Sequence, residues 1–142
     1  MRLRCRRMSV SYLESQERTA SLFRRPWEQP AAQPAALEAL WHPPIDVYET
    51  ADGLVVKAEL AGMDEADMEV LLYPDALVIT GHREDAAPHR ADLIYHEAGI
   101  RYGPFRCDVY LPLAVDGERV EASYNRGFLT IMLPRAATSE GR

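Results

Sequence analysis

Lysine is almost missing from this chain of 142 residues, with Lys57 its single representative. A phosphate-cradling loop that ends in Gly-Lys-Ser/Thr is therefore excluded. Cysteine is nearly as scarce. Cys5 and Cys107 cannot make a disulfide framework and match no zinc spacing. No Gly-x-Ser-x-Gly elbow is present. No apolar run approaches the roughly 18–20 residues of a membrane-spanning helix, so stable membrane insertion is not expected. The basic start, Met1 to Arg7, leads into no uninterrupted apolar segment, which argues against a secretory leader and for a cytoplasmic protein.

The ionisable groups do not converge either. His42, His82, His89 and His96 fall at loop or strand-end positions, and His89 and His96 stand too far apart for a helical metal site. Asp64, Glu65, Asp67 and Glu69 cluster without the alternation of a calcium loop, and Asp64 reads as the cap of a helical turn. No catalytic residue, metal or cofactor is expected, and the chain does not read as an enzyme. Charge is instead divided by region. Residues 1–25 carry a net +5 and residues 26–142 a net −11. An acidic body argues against a nucleic-acid groove, although an arginine-rich arm suits an anionic membrane surface. Cys5 lies among arginines that favour its thiolate and an interchain disulfide; Cys107 reads as a buried thiol.

What is present is a change of pattern near residue 43. Before it, five prolines from Pro26 to Pro44 break the chain, and Met8, Tyr12, Leu22 and Phe23 share a thin helical stripe over about residues 8–24. Residues 1–42 thus read as a flexible arm. Beyond it come short runs of period two: Ile45–Glu49, Leu54–Leu60, Met68–Tyr73, Leu77–Gly81, Phe105–Leu111, Glu118–Tyr124 and Phe128–Leu133. Leu93–His96 is a short extra candidate. Asp52-Gly53, Tyr73-Pro74-Asp75-Ala76 and Asn125-Arg126-Gly127 supply hairpin turns. Seven to eight strands without a long helix predict an all-β, immunoglobulin-like β-sandwich over residues 43–135, followed by a short tail at 136–142. Two strands, Met68–Tyr73 and Phe128–Leu133, are apolar on both faces, which points to surface reserved for another chain.

These residues carry a resemblance. Pro44-Ile45-Asp46-Val47-Tyr48-Glu49, the run Leu77 to Arg83, Tyr102-Gly103-Pro104-Phe105 and, above all, Val120 to Ile131 closed by Leu133-Pro134-Arg135 resemble the alpha-crystallin domain of small heat-shock proteins. The resemblance implies an ATP-independent holding chaperone whose partners are partly unfolded client proteins and its own second copy. It further implies that the loop Glu84–Tyr102 exchanges Leu93, Ile94, Tyr95 and His96 with a partner's sheet to form a homodimer. Client contacts would come from Leu22, Phe23 and Trp27 on the arm, and from Met68, Val70, Leu72, Val120 and Ala122 along an edge groove. Cys107 stands where the family has Arg, with Arg106 displaced by one. Residues 135–142 hold no Ile or Val, so the tail motif that docks relatives together is missing and only weak higher oligomers are expected. An adaptor or co-chaperone module that holds one folded partner is the alternative.

Overall fold

In the computed structural model, which describes residues 7–8, 10–12, 40–85, 87 and 91–137, the period-two runs become two packed sheets. The strands in chain order are β1 (Arg7–Met8), β2 (Val10–Tyr12), β3 (Ile45–Glu49), β4 (Gly53–Glu59), β5 (Met68–Tyr73), β6 (Ala76–Arg83), β7 (Gly103–Tyr110), β8 (Glu121–Asn125) and β9 (Phe128–Pro134). One sheet runs β1-β8-β9-β4-β3 and the other β2-β5-β6-β7. All neighbours are antiparallel except β2 and β5.

Alternation decides which side chains meet between the sheets. Val56 and Ala58 of β4, Val70 and Leu72 of β5, Leu77 and Ile79 of β6, and Leu129, Ile131 and Leu133 of β9 are almost fully enclosed. No charged or polar side chain is buried among the described residues. Their opposite neighbours, such as Phe128, Met132 and Tyr110, face outward and stay exposed. The sandwich is thus held by apolar burial, worth roughly 25 cal/mol per Å².

The β8–β9 turn is tighter than the sequence suggests, while the β3–β4 turn runs over Thr50, Ala51 and Asp52 and not over Asp52-Gly53 alone. Between β8 and β9 the loop is the two residues Arg126 and Gly127, at φ 51° and 84°, which is the hairpin form with two left-handed positions. At the β3–β4 turn Gly53 alone takes an unusual φ, 156°. A Cβ there would sit 2.1 Å from the Leu133 carbonyl oxygen, so only glycine fits. Asp64 does not cap with its side chain; the short 3₁₀ turn Glu65–Asp67 is closed by the Asp67 amide donating to the Asp64 carbonyl.

One expectation is corrected, and the exchange candidate is seen here without a partner. The helix read over residues 8–24 gives way at its start to strands, because Arg7–Met8 lies along β8 and Val10–Tyr12 along β5. Open sheet edges offer rows of unpaired backbone groups, and a thin apolar stripe cannot compete with them. Leu93–His96 forms no strand in the single chain, and residues 91–100 are all exposed. A strand needs a ladder neighbour, and among the described residues of one chain this segment has none. A residue ahead of Pro43 also pairs with the sandwich. The Trp41 amide donates to the Pro104 carbonyl and the Arg106 amide donates to that of Trp41, an isolated parallel bridge on β7.

Candidate interaction surfaces

The first surface is built from β3 and the segment that follows β6. β3 ends its sheet, and all five of its residues are exposed. Ile45 and Val47 pair with Ala58 and Val56, so they point toward the sandwich side, yet the opposite sheet does not extend over them. Ile45 is 37% and Val47 43% exposed. Across the loop, Leu93, Ile94 and Tyr95 are 45%, 81% and 60% exposed. Apolar side chains held in the open at a sheet edge and on a protruding loop are complementary in chemistry. The Tyr95 hydroxyl donates to Asp85, 3.4 Å away, and that carboxylate raises the phenol above its usual 10.0.

The second surface lies between the outer edges of β5 and β8. Met68, Val70, Leu72 and Ala122 all turn inward and are buried, and Val120 packs partly buried against the same core. What those strands offer outward is their backbone edge. Both edges are taken by the chain itself. Met8 stands opposite Ala122, while Val10, Ser11 and Tyr12 stand opposite Val70, Leu71 and Leu72. Arg7–Met8 and Val10–Tyr12 thus strap the open side of the sandwich, antiparallel on one sheet and parallel on the other. Leu22, Phe23 and Trp27, together with Cys5, lie outside the described residues.

The third feature was not foreseen. Arg83 projects from the end of β6 into a cleft of about 630 Å³ that Trp41, Ile100 and Tyr102 also line. Its Nε and Nη2 both donate to the Arg101 carbonyl, Nη1 donates to that of Ala61, and its guanidinium stacks on the Trp41 ring. The sequence shows Gly81-His82-Arg83 as a strand end and carries no local signal of these distant partners.

Cys107 points into the core, its thiol 3.8 Å from the Pro43 carbonyl oxygen. Burial, with a smaller contribution from Asp108, pushes it up to about 11 from 9.0. Arg106 faces the other way and pairs with Asp108 at 2.9 Å, so it does not occupy the place of the absent arginine. A Cys5→Ser variant is therefore expected to resist alkylation at pH 8, with labelling that follows unfolding. Because the unfolded thiol ionises near 9 and the folded one near 11, stability is full below pH 9 and declines as pH rises toward 11. Labelling at the rate of a free thiol in the folded protein would refute this.

Among the described residues no three His, Cys, Asp or Glu side chains converge as metal ligands, and no helix is long and apolar enough to cross a membrane. The arrangement supplies edges and apolar side chains, the chemistry of binding.

Comparison with known proteins agrees. The Hsp20/alpha crystallin family model matches residues 46–142. Spore protein SP21 of Stigmatella aurantiaca is 36% identical over 94 residues, covering 66% of this chain and 54% of that protein. Heat shock protein 16 of Schizosaccharomyces pombe is 29% identical over 99 residues, covering 69% of each. Among solved structures, a small heat-shock protein from Xylella fastidiosa superposes with a TM-score of 0.64 at 32% identity, over 73% of this chain and 94% of that one. The chain thus spans little more than half of the spore protein but nearly all of the Xylella chain.

Proposed function

The chain belongs to the Hsp20/alpha-crystallin family, whose members are chaperones and not enzymes, and from that membership we propose that it is an ATP-independent holdase. In this reading it captures partly unfolded proteins in the cytoplasm and keeps them from aggregating. The observation that carries the reading is the set of large apolar side chains left open on a sandwich domain, residues 43–135, of net charge −9, with Ile94, Ile100 and Tyr110 each more than 60% exposed. Apolar burial asks for no particular sequence in the partner, and like charge on the body keeps loaded complexes apart. The arm residues Leu22, Phe23 and Trp27 add to the capture surface. The β5 and β8 edges, bounded by Met68, Val70, Leu72, Val120 and Ala122, become available when the strap at 7–12 leaves.

The working unit in this reading is a homodimer, with Leu93–His96 of each copy added to the free edge of β3 in the other.

Light scattering of a heated, unrelated client tests the activity. Aggregation is expected to be suppressed near equal subunit ratio, to the same degree with and without ATP. No suppression, combined with saturable binding to one native protein, would replace the holdase by an adaptor that grips a single folded partner.

A further inference from the structure

Segment 84–102 leaves the body at Arg83 and returns at Gly103, where β7 begins. Both ends of this neck are held by one side chain. Arg83 Nε donates to the Arg101 carbonyl at 2.8 Å, and Nη2 donates to the same oxygen. Nη1 reaches the Ala61 carbonyl, in the turn after β4, at 3.2 Å. The guanidinium also lies 4.4 Å from the Trp41 ring centre and 5.7 Å from that of Tyr102. Trp41 is anchored in turn. Its Nε1 donates to the Gly103 carbonyl at 3.1 Å, and its ring packs 5.2 Å from that of Phe105. The residue at which the arm enters the body therefore leans on the same guanidinium that closes the neck.

We infer that Arg83 is a positioning residue for dimerisation: by closing the neck it pre-orders the segment that presents Leu93–His96, and through Trp41 it couples the arm to that segment. The inference rests on the exchange-dimer reading given above. An open loop explores more conformations than a closed one, and that freedom is lost when its tip pairs with a partner. A clamp made beforehand removes part of the loss. Arginine suits the task because one planar fork serves two carbonyls and stacks flat on an aromatic ring; lysine offers a single point charge. Pulling the arm lifts Trp41 from the guanidinium and frees the neck, so a client held by the arm speeds exchange of subunits.

The test compares wild type, Arg83→Gln, Arg83→Lys, Trp41→Phe and a loop-tip variant with Leu93, Ile94 and Tyr95 changed to serine. Dimer dissociation is followed on dilution by sedimentation, and subunit exchange by energy transfer between labelled copies. Arg83→Gln and Arg83→Lys are expected to raise the dissociation constant about tenfold, as loss of charged hydrogen bonds implies. Their dimers should exchange faster while the melting midpoint moves by only a few degrees. A heated client accelerates exchange in wild type and not in Arg83→Gln. Dissociation within about twofold of wild type in both Arg83 variants, with the loop-tip variant monomeric, overturns the role of Arg83 and leaves the exchange dimer standing. If the loop-tip variant dimerises as wild type does, the exchange reading itself fails and this inference with it.

Discussion

Changing Leu93, Ile94 and Tyr95 together to serine is expected to leave the fold intact and to raise the dimer dissociation constant by about a hundredfold or more. The fold is spared because these side chains are exposed and touch no core residue. Association is not spared. Each buried aliphatic or aromatic side chain is worth roughly 1.5–3 kcal/mol, and a symmetric exchange buries the set twice. A hundredfold needs only about 2.7 kcal/mol, so the loss stays large even if half of this area is covered. The strand proposed to receive the segment points the same way, since Ile45 and Val47 hold exposed apolar surface at the sheet edge. Sedimentation at low micromolar concentration decides it. A dimer as tight as wild type would show that residues 93–95 do not form the contact.

The second large effect is at the rim of the core, where β6 is half-buried. Gly81→Val is expected to cost about 3 kcal/mol of stability, the upper part of the range for an overfilled interior. Gly81 stands between Met68 on β5 and Phe105 on β7. A Cβ there would come 2.3 Å from the Asp67 carbonyl oxygen and 2.6 Å from the Phe105 ring. The oxygen belongs to backbone, and the Phe105 ring is backed by Trp41, so neither yields cheaply. Urea unfolding reads the loss directly. A variant within about 0.5 kcal/mol of wild type would mean that the two sheets part easily at this place.

Much of the sandwich is legible in the sequence because burial on one face writes itself as period two. Ile45–Glu49 and Met68–Tyr73 are read with the limits the structure gives, and β9 differs by one residue. β6 extends past its apolar run to Arg83, because a ladder with β7 needs backbone groups and not apolar side chains. Met8-Ser9-Val10-Ser11-Tyr12 also alternates, and its strands were readable. What hid them was the identity of their partners, since β5 and β8 come some sixty residues or more later. Leu93–His96 shows the converse. Its strand-like run carries an expectation that a lone chain has no means to fulfil. The Arg83 node was invisible for a third reason: its partners are carbonyls, which every residue possesses, so no residue type announces them.

The strap at 7–12 makes the protein its own rival. A foreign strand that approaches β5 or β8 meets backbone groups already satisfied, and must displace a resident tied to the same molecule. That resident belongs to the same molecule as the edge it covers, so it competes as an intramolecular partner. In the holdase reading, a single brief visit from a well-folded protein would lose that contest. A chain with many loosened stretches would keep returning until one of its bids coincided with a lapse of the resident. Discrimination between sound and failing proteins would then arise from competition in time at one rim of the sandwich.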